Sequence, residues 1–465
     1  MTHQPVETIL IGAGQRGADT YGAYILRHPD QIRLVAVAEP DAQRREKTAH
    51  QHNIPKQNQF ESWEALLERP ALGAAALICT QDQMHTGPTL AALRQGYHVL
   101  LEKPMATTLT DCEQMVQAAE VSGRQLHICH VLRYTDHFSR MREILLSGAL
   151  GQVVNISQRE NLSWWHMVHS YVRGNWRNKA QSSPMILAKC CHDLDILVWL
   201  LDSTCEMLSS IGSLLHFRPE HAPAGAPTYC LDGCPAAESC PYYAPFIYID
   251  KIPLWRSVAD SSKGLEHWAT NLQLKNPILL KWLSRGIPLL RQVSDYRGWP
   301  VSVVSPTGDA ESLLAALRNG PYGRCVYHCD NDVVDHQVVS MQFTSGASAT
   351  LTMHGHANLE GRTTRIEGTQ GELLSAFNLG SSWIEVRQHR SGKRIRYDTS
   401  TSVTSGHGGG DGALMAAFIQ AVRQGDPEAA RTSARQSLES HRMAFAAEES
   451  RLNNQVVHMR VVRQD

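Results

Sequence analysis

A doubly wound, parallel α/β domain followed by a second α/β domain with a large, open, mainly antiparallel sheet is the fold class this chain predicts. Three observations carry that expectation. Short apolar runs alternate with helix-compatible stretches through the first third of the chain. The rhythm changes near Gly151, after which strand-like runs cluster between glycines. The run Thr8-Ile9-Leu10-Ile11-Gly12-Ala13-Gly14-Gln15-Arg16-Gly17 is an apolar strand ending in Gly-x-Gly-x-x-Gly, with a helix-compatible stretch after it.

The glycines have separate tasks. Gly12 permits a tight turn, Gly14 lets a pyrophosphate approach the backbone, and Gly17 lets helix and strand pack closely. The helix start offers unpaired N–H groups to phosphates. A second apolar run, 32–38, ends in Glu39, placed to bind ribose hydroxyls. Together these predict a dinucleotide-binding Rossmann domain. Helices follow at 42–50, 63–68, 86–95 and 111–122, and strands at 74–80, 98–102 and 126–129. Such alternation implies right-handed crossovers and a sheet covered on both faces. The first domain is set at 1–130 and the second at 131–465.

In the second domain, 153–159 alternates like a half-buried strand and a helix starts near His192. Strand-like runs lie at 334–343, 347–354, 363–367, 383–387 and 394–397, and helices at 412–423 and 432–451 close the chain. Residues 216–300, rich in cysteine, proline and aromatics, have poor periodicity beyond a short helix at 277–285. An insertion this long is expected to cover the active site or an oligomer interface.

The 465 residues carry a formal net charge of −1, so chain-wide charge favours neither nucleic acid nor an anionic membrane. No apolar run approaches a membrane span. The polar N-terminus lacks a basic stretch, an apolar core and a twin arginine, which predicts a cytoplasmic protein. Eleven cysteines in a reducing compartment read as thiols or ligands.

Four further motifs carry a resemblance: Cys79-Thr80-Gln81-Asp82-Gln83-Met84-His85, Leu101-Glu102-Lys103-Pro104, His192-Asp193-Leu194-Asp195, and Ala446-Ala447-Glu448-Glu449-Ser450-Arg451. In order and spacing the chain resembles the glucose–fructose oxidoreductase, inositol dehydrogenase and MocA (Gfo/Idh/MocA) family over nearly its whole length, except 216–300. The resemblance implies a nicotinamide cofactor, a sugar or polyol substrate, and a homo-oligomer (dimer or tetramer) formed through the C-terminal sheet. It also implies a catalytic pair, His192 as acid/base and Lys103 activating the hydroxyl. The family often has Asp four residues before that histidine; here the position is Ala188. Lys189, Asp193 or Asp195 are the residues at hand to compensate.

The cofactor set is Gly12, Gly14, Gln15, Arg16, Gly17 and Glu39, with Thr80, His85, Glu102 and Lys103 from the motifs. Glu39, with no adjacent arginine, favours NAD over NADP. Trp164, Trp165, His166, Arg173, Trp176 and Arg177 supply aromatic faces and hydrogen-bonding groups for a sugar ring, joined by Tyr134, Lys189 and Asp195. Cys230-x3-Cys234-x5-Cys240 resembles a metal knuckle, and structural zinc is expected there, with His216, Cys325 or Cys329 as candidates for a fourth ligand.

Three functions fit: an NAD-dependent dehydrogenase of a sugar, sugar derivative or glycoside; a relative that keeps NAD bound and cleaves glycosides by oxidation, elimination and re-reduction; and a non-catalytic NAD-binding regulatory protein. The presence of Lys103 and His192 argues against the third.

Overall fold

The computed structural model describes residues 4–378, 380–401, 407–426 and 430–459. Six strands form the first sheet: β1 (Val6–Ile11), β2 (Ile32–Ala38), β3 (Gln59–Phe60), β4 (Ala75–Ile78), β5 (His98–Leu101) and β6 (Leu126–Ile128). Their spatial order is β3-β2-β1-β4-β5-β6, parallel throughout. Order reverses between β1 and β4, which opens a crevice at the carboxyl edge beside the glycine turn. Ile9, Leu10 and Ile11 are all buried because both faces of this sheet are covered, hence the continuous apolar run.

Nine strands form the second sheet: β7 (Val153–Ser163), β8 (Cys205–Ser213), β9 (His336–Phe343), β10 (Ser348–Ala357), β11 (Gly361–Gly368), β12 (Gly371–Asn378), β13 (Ser381–Gln388), β14 (Arg394–Asp398) and β15 (Val457–His458). The order is β14-β13-β12-β11-β7-β10-β9-β8-β15, and the one parallel pairing among these described strands is β7 with β10. Alternation is clear in β10, where Ala349, Leu351 and Met353 turn inward, because one face alone packs on the core. The sequence reading missed β8, β12 and β15. β8 (CEMLSSIGS) and β12 (GELLSAFN) carry small and polar residues that blur the two-residue period.

The insertion is helical rather than irregular. It contains Ala244–Tyr248, Ile252–Ser261, Gly264–Lys275, Pro277–Leu283 and Pro288–Ser294, followed by Val301–Val304 and Ala310–Asn319. Pro245, Pro253, Pro277 and Pro288 each sit in a first helical turn, cutting the segment into helices too short to display a helical period.

The final helices return to the first sheet. Gly410–Gln424 buries Leu414, Met415, Phe418 and Ile419 against Leu10, Val37 and Leu100. Ala434–Asn453 contributes Ala434 and Leu438 to the opposite face of that sheet, and Met443, Ala444 and Ala447 to the second core. The last helix thus locks both halves together. No helix among the described residues is long and apolar enough to cross a membrane.

Candidate functional site

The glycine turn has the geometry its sequence demands. Gly12 adopts φ +91°, and a Cβ there would meet the Cys79 carbonyl oxygen at 2.6 Å. A Cβ on Gly17 would meet the Gly12 carbonyl oxygen at 2.0 Å. Around Gly14 there is nothing within 4 Å of that position, so the backbone is open to a ligand. Gln15 starts the wide helical turn Gln15–Gly22. Glu39 accepts from the amides of Ala13 (2.7 Å) and Asp41 (3.0 Å), which fixes its carboxylate at the end of β2. Thr80 Oγ1 is buried without a hydrogen-bond partner among the described residues. An open glycine, a fixed acid and an orphaned hydroxyl along one crevice fit a dinucleotide.

Arg16 and Glu102 face each other rather than open space. Arg16 donates to Glu102 (2.6 Å), Tyr21 (2.6 Å) and Asp411 (2.7 Å), and Tyr21 donates to Glu102 (2.7 Å). Burial alone would lift the Glu102 carboxyl, but Arg16 and Tyr21 hold it below its ordinary value. His85 braces two turns, with Nδ1 2.7 Å from the Pro104 carbonyl and Nε2 3.2 Å from the Thr80 carbonyl. The Lys103–Pro104 bond is cis.

Lys103 reaches across to the second domain: Nζ donates to the Ala188 carbonyl at 2.9 Å, one turn before His192. His192 lies in the first turn of the helix Cys191–Leu201, with its Nδ1 3.4 Å from Nδ1 of His130. His130, just past β6, was missed in the sequence reading. Its position at the carboxyl edge of a Rossmann strand was the available signal. Its Nε2 is 3.8 Å from Asp195, which Arg133 grips with two bonds of 2.7 Å. Burial, reinforced by Arg133 and Lys103, keeps His130 well below the ordinary histidine value, hence neutral.

A buried ionic network flanks this histidine pair. Lys189 pairs with Glu160 (3.2 Å) and Glu360 (3.3 Å), Arg362 with Glu160 (2.8 Å) and Asp193 (2.8 Å), and His166 with Glu360 (2.8 Å). Burial would lower Lys189, yet Glu160 and Glu360 hold it well above its usual range. Glu160, Glu360 and Arg362 sit on or beside strands that the sequence did not link to the site.

The other expected substrate residues divide. Trp165 and His166 lie against Trp299 (ring centroids 5.2 and 4.8 Å), so the end of the insertion covers this segment. Trp164 packs on Tyr242, and Trp176 donates to Asp82 of the first domain at 3.1 Å. Tyr134 is turned away, its hydroxyl accepting from the amide of Arg431 (2.8 Å). Asp195 is engaged by Arg133, and half-buried Arg177 pairs with Asp330 (3.0 Å). Arg173 does not reach the cleft: it is fully enclosed and donates to the carbonyls of Arg324 and Tyr242.

The expected zinc site is not supported. Among the described residues no group of three or more His, Cys, Asp or Glu side chains is placed to hold a metal ion. Cys230, Cys234 and Cys240 do line one small pocket with Cys325 and Arg173. Cys230, however, is engaged by Arg173 (3.5 Å), and burial pushes the Cys240 and Cys325 thiols up, away from the thiolate a metal needs.

Residues 6–130 match GFO_IDH_MocA, an oxidoreductase family with an NAD-binding Rossmann fold. Residues 6–130 therefore carry the NAD-binding Rossmann domain of that oxidoreductase family. YteT of Bacillus subtilis (strain 168) is 22% identical over 352 residues, covering 73% of this chain and 70% of YteT. The 2,7-anhydro-N-acetylneuraminate hydratase of Escherichia coli (strain K12) is 24% identical across 45% of this chain and 54% of its own. The 1,5-anhydro-D-fructose reductase of Ensifer adhaerens is 31% identical across 36% and 49%. The chain spans about half the length of these last two. Among solved structures, the aldose-aldose oxidoreductase of Caulobacter crescentus, complexed with glycerol, superposes with a TM-score of 0.63 at 15% identity, over 98% of this chain and 100% of that one. An Agrobacterium radiobacter oxidoreductase in complex with NAD+, L-tartaric acid and magnesium gives 0.63 at 14%, over 98% of each. These two likenesses are of fold.

Proposed function

We propose that this protein oxidises a secondary hydroxyl of a sugar, sugar derivative or glycoside, using NAD in preference to NADP. One observation carries the reading: Lys103, from the first domain, bonds the backbone one turn from His192, so a cation and an imidazole converge at the domain seam. Bound NAD would supply the hydride acceptor, held by the Gly12–Gly17 turn, Thr80 and Glu39. Glu39 would accept from the ribose hydroxyls and repel a 2′-phosphate.

His192 removes the hydroxyl proton. His130 is neutral and its Nδ1 lies 3.4 Å from Nδ1 of His192; in the proposed tautomer the Nδ1–H of His192 donates and His130 accepts. That tautomer leaves Nε2 of His192 basic, the work a carboxylate at position 188 would otherwise share. Lys103 stabilises negative charge on the same oxygen. His166, Lys189 and Glu360 offer donors and acceptors for further hydroxyls, beneath Trp299.

The E. coli relative is named a hydratase, which favours one alternative: transient oxidation, elimination and re-reduction with no net redox change. A panel of sugars and glycosides, followed for NADH and for glycoside cleavage, separates the two. One NADH per product supports dehydrogenation, and cleavage without NADH supports the alternative. Turnover of NADP above NAD would overturn the cofactor assignment. Assembly through the open face of the nine-stranded sheet, as dimer or tetramer, completes the proposal, and light scattering checks it.

A further inference from the structure

The helices Pro277–Leu283 and Pro288–Ser294 form a hairpin packed on Gly264–Lys275. Between the three helices the fully buried core consists of Ala269, Leu280 and Leu290. The outward faces are apolar: Ile278 is 82% exposed, Trp282 63%, Leu289 54% and Ile287 47%. Ile278 and Trp282 stand four residues apart and share a helical face. Soluble surfaces scatter such residues singly; here four stand on one two-helix hairpin.

Charge around the tip runs one way. Lys275, Lys281, Arg285 and Arg291 are all exposed, and no aspartate or glutamate occurs between Glu266 and Asp295. In a chain of net charge −1 this is a local concentration of cations that the chain-wide balance conceals. Apolar side chains with a tryptophan, ringed by lysine and arginine, match the two layers of an anionic bilayer surface. Aromatic and aliphatic groups enter the headgroup boundary while the cations meet lipid phosphates and carboxylates.

We infer that the 275–291 hairpin docks on membranes bearing anionic lipid, as a peripheral contact that does not span the bilayer. A protein partner would bury the apolar residues but would leave four unopposed cations unexplained unless it were itself acidic. A second copy of the hairpin would bring like charges together. Beyond the hairpin the chain returns directly to Trp299 over His166, so the docked face lies close in sequence to the cover of the cleft.

Flotation of the full chain with vesicles tests this. Binding to phosphatidylcholine vesicles containing phosphatidylserine should be at least about tenfold tighter than to phosphatidylcholine alone, and should weaken as salt is raised. Ile278→Ser with Trp282→Ser, and separately Lys281→Glu with Arg285→Glu, should each abolish flotation and leave NAD binding unchanged. These side chains are exposed, so folding should not suffer, and the unchanged NAD affinity verifies it. No flotation with anionic vesicles overturns the inference. So does equal flotation of wild type and both variants. So does a wild-type dimer in light scattering that Ile278→Ser with Trp282→Ser converts to monomer, since the tip would then be a contact between copies.

Discussion

Around the glycine turn, the first domain makes its ligand surface from backbone: a glycine at φ +91°, another with open space where a side chain would be, and a carboxylate held by two amides. The second domain, around His192, makes its surface from charge: Lys189 and Arg362 among Glu160, Asp193 and Glu360, with His166 at the rim. Backbone shape does not titrate and tolerates almost no added atom. A buried ionic network tolerates small changes of shape but depends on protonation and on every partner being present.

The comparison breaks most sharply at Gly17. A methyl group there would stand 2.0 Å from the Gly12 carbonyl oxygen, so Gly17→Ala should abolish NAD binding measurable by calorimetry. On the charged side, His192→Ala and Lys103→Ala should each lower turnover by about a hundredfold or more, with NAD affinity nearly unchanged. Near wild-type turnover by His192→Ala on a confirmed substrate would refute the mechanism. His130→Ala should cost between about tenfold and a hundredfold in kcat, the scale of a partner that orients a functional imidazole. It should also move the acid limb of the pH–rate profile, whereas a merely structural loss would leave that profile in place.

The smallest effect concerns stability. Burial, aided by His98, holds His127 down to about 4; burial alone holds His137 at about 3, and burial with His130 holds His441 at about 3. The unfolded chain binds these protons below about pH 6.5 and the folded chain refuses them. Their contribution is therefore fully present above that pH and is lost as pH falls toward 4. The loss should be about 1.4 kcal/mol per site for each pH unit below 6.5, read from thermal melts. His441 has a local readout too, because its Nε2 accepts from the Met105 amide (2.9 Å) just beyond the Lys103–Pro104 turn. Protonation removes that acceptor.

Legibility in the sequence followed the range of the interactions. Five of the six strands of the first sheet and its glycine turn are written in continuous runs, because burial on both faces and turn geometry act between neighbours, whereas the two-residue strand Gln59–Phe60 leaves no such run. His130 and His192 are 62 residues apart, and Lys189 meets Glu360 across 171; no local pattern encodes such meetings. Arg173 was assigned to the substrate by its aromatic neighbours, but the carbonyls of Arg324 and Tyr242 decide its direction. The knuckle-like cysteine spacing brought thiols into one pocket without bringing them to one point. Of the insertion's helices the one expected at 277–285 is present as Pro277–Leu283, whereas Ala244–Tyr248, Ile252–Ser261, Gly264–Lys275 and Pro288–Ser294 left no periodic signal.

The return of the last two helices to the first sheet sets a timetable for synthesis. Leu414, Met415, Phe418 and Ile419 fill one face of the Rossmann core, and Ala434 and Leu438 the other. The ribosome must add roughly 280 residues after β6 before the first of them exists, which takes about 15 to 55 seconds at ordinary elongation rates. Through that interval the nascent cofactor domain carries two uncovered apolar strips. The earliest-made domain of the protein is thus completed late, and it is the part a holding chaperone would grip.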